Sequence, residues 1–250
     1  MIEIHDYEDH CWWCGNAADS GEHKYKKADL IREFGKGPYK GKNELVRGIS
    51  GQLKKIQGSN SKEAKFENTL CQTCNNERSQ PFDTTYDEFV KYIRLNEQKI
   101  IATKQFTFSE IFGGDWKDSR LNLLRYYVKH ICCRLATVRI FVQQKVIDFL
   151  NGAQELKFLK LNLEIREDIV AMMDGLRKAG MDDGCLWIGD LICQISKSSR
   201  NISEVQSFLG YRWLRMNYLY DYGIGDAEDN FSGDLVDLVT AYNIPPEILI

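Results

Sequence analysis

Two C-x-x-C pairs, Cys11-Trp-Trp-Cys14 and Cys71-Gln-Thr-Cys74, constrain this chain more than any other feature of its sequence. The short spacer of each pair lets a tight turn aim both sulfurs at one ion. Two such knuckles complete a tetrahedral site of the kind that holds structural Zn²⁺. The 56 residues between Cys14 and Cys71 exceed the spacing of a compact zinc ribbon, so an insertion is expected between the knuckles, pinned at both ends. A redox dithiol would need a βαβ setting that the neighbouring residues do not suggest. With four protein ligands the ion has no position for water or substrate, and any chemistry must use other residues.

The chain has 250 residues, 43% apolar and 28% charged, enough for a buried core and one or two domains. No apolar run approaches the roughly 18 residues of a membrane span. The opening MIEIHDYEDH is acidic and lacks an apolar h-region, so it does not read as a secretory signal. The reducing cytoplasm is therefore expected, where paired cysteines hold metal more often than they form disulfides. The net charge of −3 conceals a strong asymmetry: Lys24 to Lys65 carries 12 Lys/Arg against 4 Asp/Glu, whereas Asp221 to Ile250 has 7 acidic residues and no basic one. The basic stretch suits an anionic partner, or forms a solvated loop.

Up to about Tyr92 the Gly/Lys-rich FGKGPYKGK segment and the GSNSKE stretch read as loops and short strands around a metal. After Pro81, the spacing of Phe82, Tyr86, Phe89, Val90 and Ile93 predicts a closing helix. The expected architecture is α+β. An N-terminal module spans 1–93, and 94–250 forms a mostly helical α+β domain serving recognition, a protein partner or oligomerisation. Within it, Ser119–Asn151 reads as a long amphipathic helical stretch with Leu121, Leu124, Tyr127, Val128, Ile131, Leu135, Val138 and Val142 on one face. Cys185–Ser196 and Gly210–Tyr222 are candidates for paired antiparallel strands. Cys132, Cys133, Cys185 and Cys193 read as small buried residues. Trp213, Tyr218, Tyr220 and Tyr222 read as core or as an interaction surface.

The residues beside the knuckles carry a more specific pattern. Gly21-Glu22-His23-Lys24 follows the first pair, Glu67-Asn68-Thr69-Leu70 leads into the second, and Asn75-Asn76-Glu77-Arg78 follows it. C-x-x-C, an acidic residue and histidine, then asparagine before L-C-x-x-C-N-x-x-Arg resembles the zinc-containing HNH endonucleases from about Cys11 to Phe89. The resemblance implies a ββα-metal module that hydrolyses phosphodiester bonds, most simply in DNA. Roles in restriction, mobile elements or antiviral defence follow from the same likeness. It assigns His23 as general base, Glu22 and Asn75 as ligands of a catalytic Mg²⁺ or another divalent ion, and Asn68 as the residue orienting His23. Phe66 stands where the family usually carries its middle asparagine, and Asn76 competes with Asn75 for the ligand role.

The chemistry accounts for these residue types. Phosphodiester hydrolysis needs a base near neutral pKa and a cation beside the phosphate. A hard divalent ion prefers carboxylate and amide oxygens. Lys24, Lys26, Lys27, Lys40, Lys42 and Arg78 would neutralise phosphates, as would Lys54 and Lys55, while Tyr25 and Tyr39 offer faces for stacking on bases. His5, His10 and His130 are weaker site candidates. The rival reading is a catalytically inactive, zinc-held module that binds nucleic acid or protein.

Overall fold

From the first knuckle the chain continues as an extended segment that pairs, antiparallel, with the segment leading into the second. Isolated bridges join Ser20 to Leu70 and His23 to Lys65. Between the bridges, two residues on one side thus face four on the other, and the longer side bulges through Glu67 and Asn68. Gly21 permits the approach, since a Cβ there would lie 2.6 Å from the Phe66 carbonyl oxygen. The structure, a computed structural model of the chain, describes residues 5, 7, 9–41, 44–49, 52–198, 201–222 and 233–241.

Between the paired segments lies the insertion: helix α1 (Lys27–Phe34) and the antiparallel hairpin β1 (Leu45–Ile49) and β2 (Gln52–Ile56). Tyr25, Leu30, Tyr39, Ile56 and Ala64 give it a small core of its own. After the second knuckle, Thr73–Arg78 winds as a π-helix and leads into α2 (Gln80–Leu95). Pro81 suits the first turn of α2, where the missing N–H is not needed. Phe82, Tyr86, Phe89, Val90 and Ile93 are its buried face, as their spacing predicts. A fully buried side chain of this size contributes roughly 1.5–3 kcal/mol.

The chain continues through α3 (Glu97–Thr103), β3 (Gln105–Thr107), α4 (Phe108–Phe112) and α5 (Trp116–Thr137). Next come α6 (Gln144–Leu150), β4 (Leu159–Arg166), α7 (Glu167–Lys178), β5 (Leu186–Ile188) and β6 (Ile192–Ile195). The described chain closes with β7 (Ile202–Tyr211), β8 (Leu214–Asp221), β9 (Leu235–Asp237) and β10 (Val239–Ala241). The main sheet runs β10-β4-β8-β7-β5, with β6 also on β7. Its β10–β4 pair is parallel and its other pairs antiparallel. β3 and β9 form a separate pair. The fold is α+β, and among the described residues no helix is long and apolar enough to cross a membrane.

Three expectations are corrected. The helical stretch from Ser119 divides at 138–143, because α5 ends with Arg139 at φ +61°. The Arg139 and Ile140 N–H groups bond back to the Ala136 and Leu135 carbonyls, a Schellman ending made without glycine. Val138, placed on the apolar face by its spacing, is half exposed. α5 itself is buried on nearly every side, Tyr126, Lys129, Cys132 and Cys133 included, because it runs between α2 and the sheet. Cys185–Ser196 and Gly210–Tyr222 pair antiparallel only where Leu186 meets Tyr211 and Trp187 meets Gly210, at the end of β7, and not along β8. Both β5 and β6 pair with β7, which stands between them and β8. Cys193, on the outer strand β6, is exposed, and Cys185 is half-buried.

One apolar core extends from Cys11 and Trp13 through Phe89 and α5 to Tyr220 and Leu238, and it is continuous across residues 93 and 94. Trp213, Tyr218 and Tyr220 belong to it, with Tyr222 packed at its margin.

Candidate metal and reaction centre

The knuckles meet. The sulfurs of Cys11, Cys14, Cys71 and Cys74 all lie within 4.8 Å of one another, and Cys14 Sγ stands 3.6 Å from Cys71 Sγ. Tetrahedral Zn²⁺ with Zn–S near 2.3 Å would separate its sulfurs by about 3.8 Å, so the cluster fits this ion. Burial pushes the Cys11 and Cys74 thiols up. Cys14, though also partly buried, is drawn down by the Asn16 backbone and by the neighbouring sulfurs. A cation would offset the cost of holding these sulfurs as thiolates. Arg78 points a guanidinium N–H at Cys74 Sγ, 3.5 Å away, and stacks on Trp13.

The same geometry sets the start of the following helix. Asp19 accepts from the Gln72 backbone N–H at 2.8 Å, and Asn75 Nδ2 donates to Ser20 Oγ at 2.8 Å. With its Nδ2 on Ser20, Asn75 holds Oδ1 buried without a protein partner. That acceptor fits a hard cation. Asn76 is exposed.

Glu22 accepts from the His23 backbone N–H at 2.9 Å through Oε1 and is ion-paired with Lys129 through Oε2. It thus fits a divalent ion only as a carboxylate shared with an ammonium. Lys129 Nζ also donates to Ser79 Oγ at 3.0 Å, stands 3.5 Å from the Asn75 carbonyl, and lies 3.7 Å from Asp83 Oδ2. Burial would lower this lysine's pKa, but Glu22 and Asp83 outweigh it and hold the ammonium above its usual value.

His23 is half-buried, and its Nε2 lies 3.1 Å from the Ser59 carbonyl. A carbonyl only accepts, so in the neutral ring Nε2 carries the proton and Nδ1 keeps a lone pair. Burial, opposed by Glu22 and assisted by Lys65, pulls the His23 pKa below its ordinary value. Asn68 is exposed in the bulge, its Oδ1 against Gly21, and the bond to the His23 ring comes from Ser59.

The basic residues divide. Lys26 is paired with Asp83 at 3.1 Å and Asp87 at 3.0 Å and lies over Tyr86 and Tyr126, so its charge is spent inside the protein. Arg78 is held by Trp13 and by Asn151 at 2.6 Å. Lys27 and Lys40 are exposed, and Lys42 lies outside the described residues. Tyr25 and Tyr39 are buried. Lys24, Lys54, Lys62 and Lys65 instead line one open groove of about 410 Å³, with Glu63 and Glu67 beside them.

Lys129, Ser59, Lys62 and Lys65 were not singled out from the sequence. The available signal for Lys129 was its own position, one lysine within the apolar YYVKHICC. Ser59 acts through its backbone, which no residue pattern marks. His10 bridges Ala17 beside the first knuckle, and His5 rests against Tyr7 and Phe141. His130 is core: its Nε2 meets the Lys24 carbonyl at 3.1 Å, and its ring is enclosed by Phe66 and Tyr218. No protein-family model, curated protein or solved structure matches this chain.

Proposed function

We propose that the chain is a zinc-stapled, divalent-metal-dependent endonuclease of HNH type that hydrolyses phosphodiester bonds in DNA. One observation carries the reading: two antiparallel extended segments and a helix, tied at their ends by the four-cysteine cluster, set Glu22 and Asn75 about one ammonium, Lys129, with His23 next to Glu22 in the strand. Glu22 and the unpartnered Asn75 Oδ1 would hold the divalent ion. When bound, it would supply neutralisation of charge at the phosphate and the leaving oxygen.

His23 supplies the base. Its lowered pKa keeps the ring neutral at neutral pH, and the Ser59 carbonyl holds the proton on Nε2. Nδ1 then takes a proton from the attacking water. The groove lysines neutralise backbone phosphates without reading bases.

One observation favours a second reading, a zinc-held module that grips nucleic acid without cutting it. The Glu22 carboxylate already has an ammonium partner. His23→Ala separates the two. The variant is expected to keep its zinc and fold while losing at least about 100-fold in Mg²⁺-dependent plasmid cleavage. Wild type that cuts with none of Mg²⁺, Mn²⁺ or Ni²⁺, or a variant that cuts equally well, leaves only the binding reading.

A further inference from the structure

Lys129 is the least expected member of this centre. It comes from α5, outside the stretch that carries the knuckles, and is 1% exposed. Every partner its ammonium has is a candidate site residue or lies at the start of the helix that bears one: Glu22, the Asn75 carbonyl, Ser79 and Asp83. The next residue, His130, meets the Lys24 carbonyl. Consecutive α5 side chains thus grip the strand on both sides of His23. Asp83 is itself paired with Lys26, which leaves Glu22 as the principal counter-charge of Lys129.

We propose that Lys129 is the resident counter-cation of Glu22, and that a divalent ion reaches this carboxylate only by displacing the ammonium or sharing the oxygen with it. Lys129 is then a positioning residue that sets the metal requirement of the centre. The physical reason is the low dielectric of the site. Glu22 is half-buried beside a fully buried ammonium, and two cations competing for its carboxylate repel each other strongly at close range. Asn75 Oδ1, buried and unpartnered, is a second oxygen available to a divalent ion, whereas the ammonium meets Asn75 at its backbone carbonyl. The inference rests on Glu22 and Asn75 being ion ligands, not on the chain cutting DNA.

Thermal unfolding of the zinc-loaded full chain, titrated with Mn²⁺ alone, tests it on wild type, Lys129→Met and the double variant Glu22→Gln/Lys129→Met. Without Mn²⁺, Lys129→Met is expected to melt below wild type, because the half-buried Glu22 carboxylate loses its counter-charge. Mn²⁺ should restore it with a midpoint at least about tenfold below the concentration that shifts wild type. The double variant, with a neutral amide in place of Glu22, should recover much of the stability and lose the response. The proposal is overturned if Mn²⁺ shifts Lys129→Met no more than wild type, or shifts the double variant as strongly. If Lys129→Met folds only in Mn²⁺, the proposal holds; if it folds in neither condition while the double variant folds, Mn²⁺ does not replace the ammonium and the proposal fails. Plasmid cleavage is scored separately. Mn²⁺ exchange in a chain that never cuts sinks the nuclease reading alone, and a cutting chain without the exchange sinks this one alone.

Discussion

His130 is enclosed between Phe66 and Tyr218, and burial, the largest influence on it, pushes its pKa down to about 3. Since the unfolded imidazole has a pKa near 6.5, the unfolded chain binds more protons below that value. The neutral ring's contribution is therefore fully present above about 6.5 and is lost as pH falls toward about 3, at about 1.4 kcal/mol per unit. Asp29 has the opposite sign: burial raises its carboxyl to about 6, so below that pH protonation favours the folded side. Comparing wild type with His130→Gln by urea unfolding at pH 7, 5.5 and 4 removes the contributions they share. The stability advantage of wild type over the variant should shrink by about 1.4 kcal/mol for each unit below about 6.5. A constant difference would mean that His130 titrates in the folded protein as it does in the unfolded chain.

At the scale of elements, the centre is an assembly of weak pieces. The extended segments 20–24 and 64–70 make only bridges, and the helix begins with a π-helical stretch at Asn75. Such irregularity is often found at functional positions, and here it is held from two directions. The cysteine cluster ties the ends of the segments, and α5 fastens the strand through Lys129 and His130. Removing one tie should loosen the piece it holds. Purified wild type is expected to carry one zinc per chain by elemental analysis. Cys74→Ser should lose that ion, lose several kcal/mol of unfolding free energy (~2–5) and show reduced helical circular dichroism, since structural zinc contributes directly to folding. A variant that retains both zinc and stability would show that the four sulfurs do not act as one site.

Across the whole molecule, and on the function proposed above, charge decides which surface would face an anionic partner. Of the expected phosphate contacts, Lys26 and Arg78 are engaged internally, whereas Lys54, Lys62 and Lys65 share the open groove with Lys24. Each phosphate contact with duplex DNA contributes about −0.9 to the slope of log affinity against log salt. Lys54→Ala/Lys62→Ala/Lys65→Ala should reduce that slope by about 2–3, and Lys40→Ala by much less, in fluorescence anisotropy with a labelled duplex and no divalent metal. Equal slopes in the triple variant and wild type would remove the groove as the track. The continuous core also makes the second half part of the same unit: Trp13 Nε1 donates to Asn151, and Arg212 on the β7–β8 turn pairs with Glu33 of α1 and Glu97 of α3.

Local chemistry was enough to read the four-cysteine cluster, because a two-residue spacer confines both thiols of a pair to one turn. It was also enough for α2, whose apolar spacing survives as a buried face. Glu22, His23 and Asn75 were legible as a pattern, and the inward turn of Asn75 rather than Asn76 follows from a bond to Ser20, 55 positions away in the chain. What the tertiary structure alone decided are the partners contributed by distant elements. Ser59 meets His23 through a carbonyl, which has no residue signature. Lys129 reaches Glu22 from α5, where the surrounding apolar residues read as ordinary core. A spacing reports what a chain segment can do with its own neighbours, whereas the neutralisation of a buried carboxylate depends on which charge the fold carries to it.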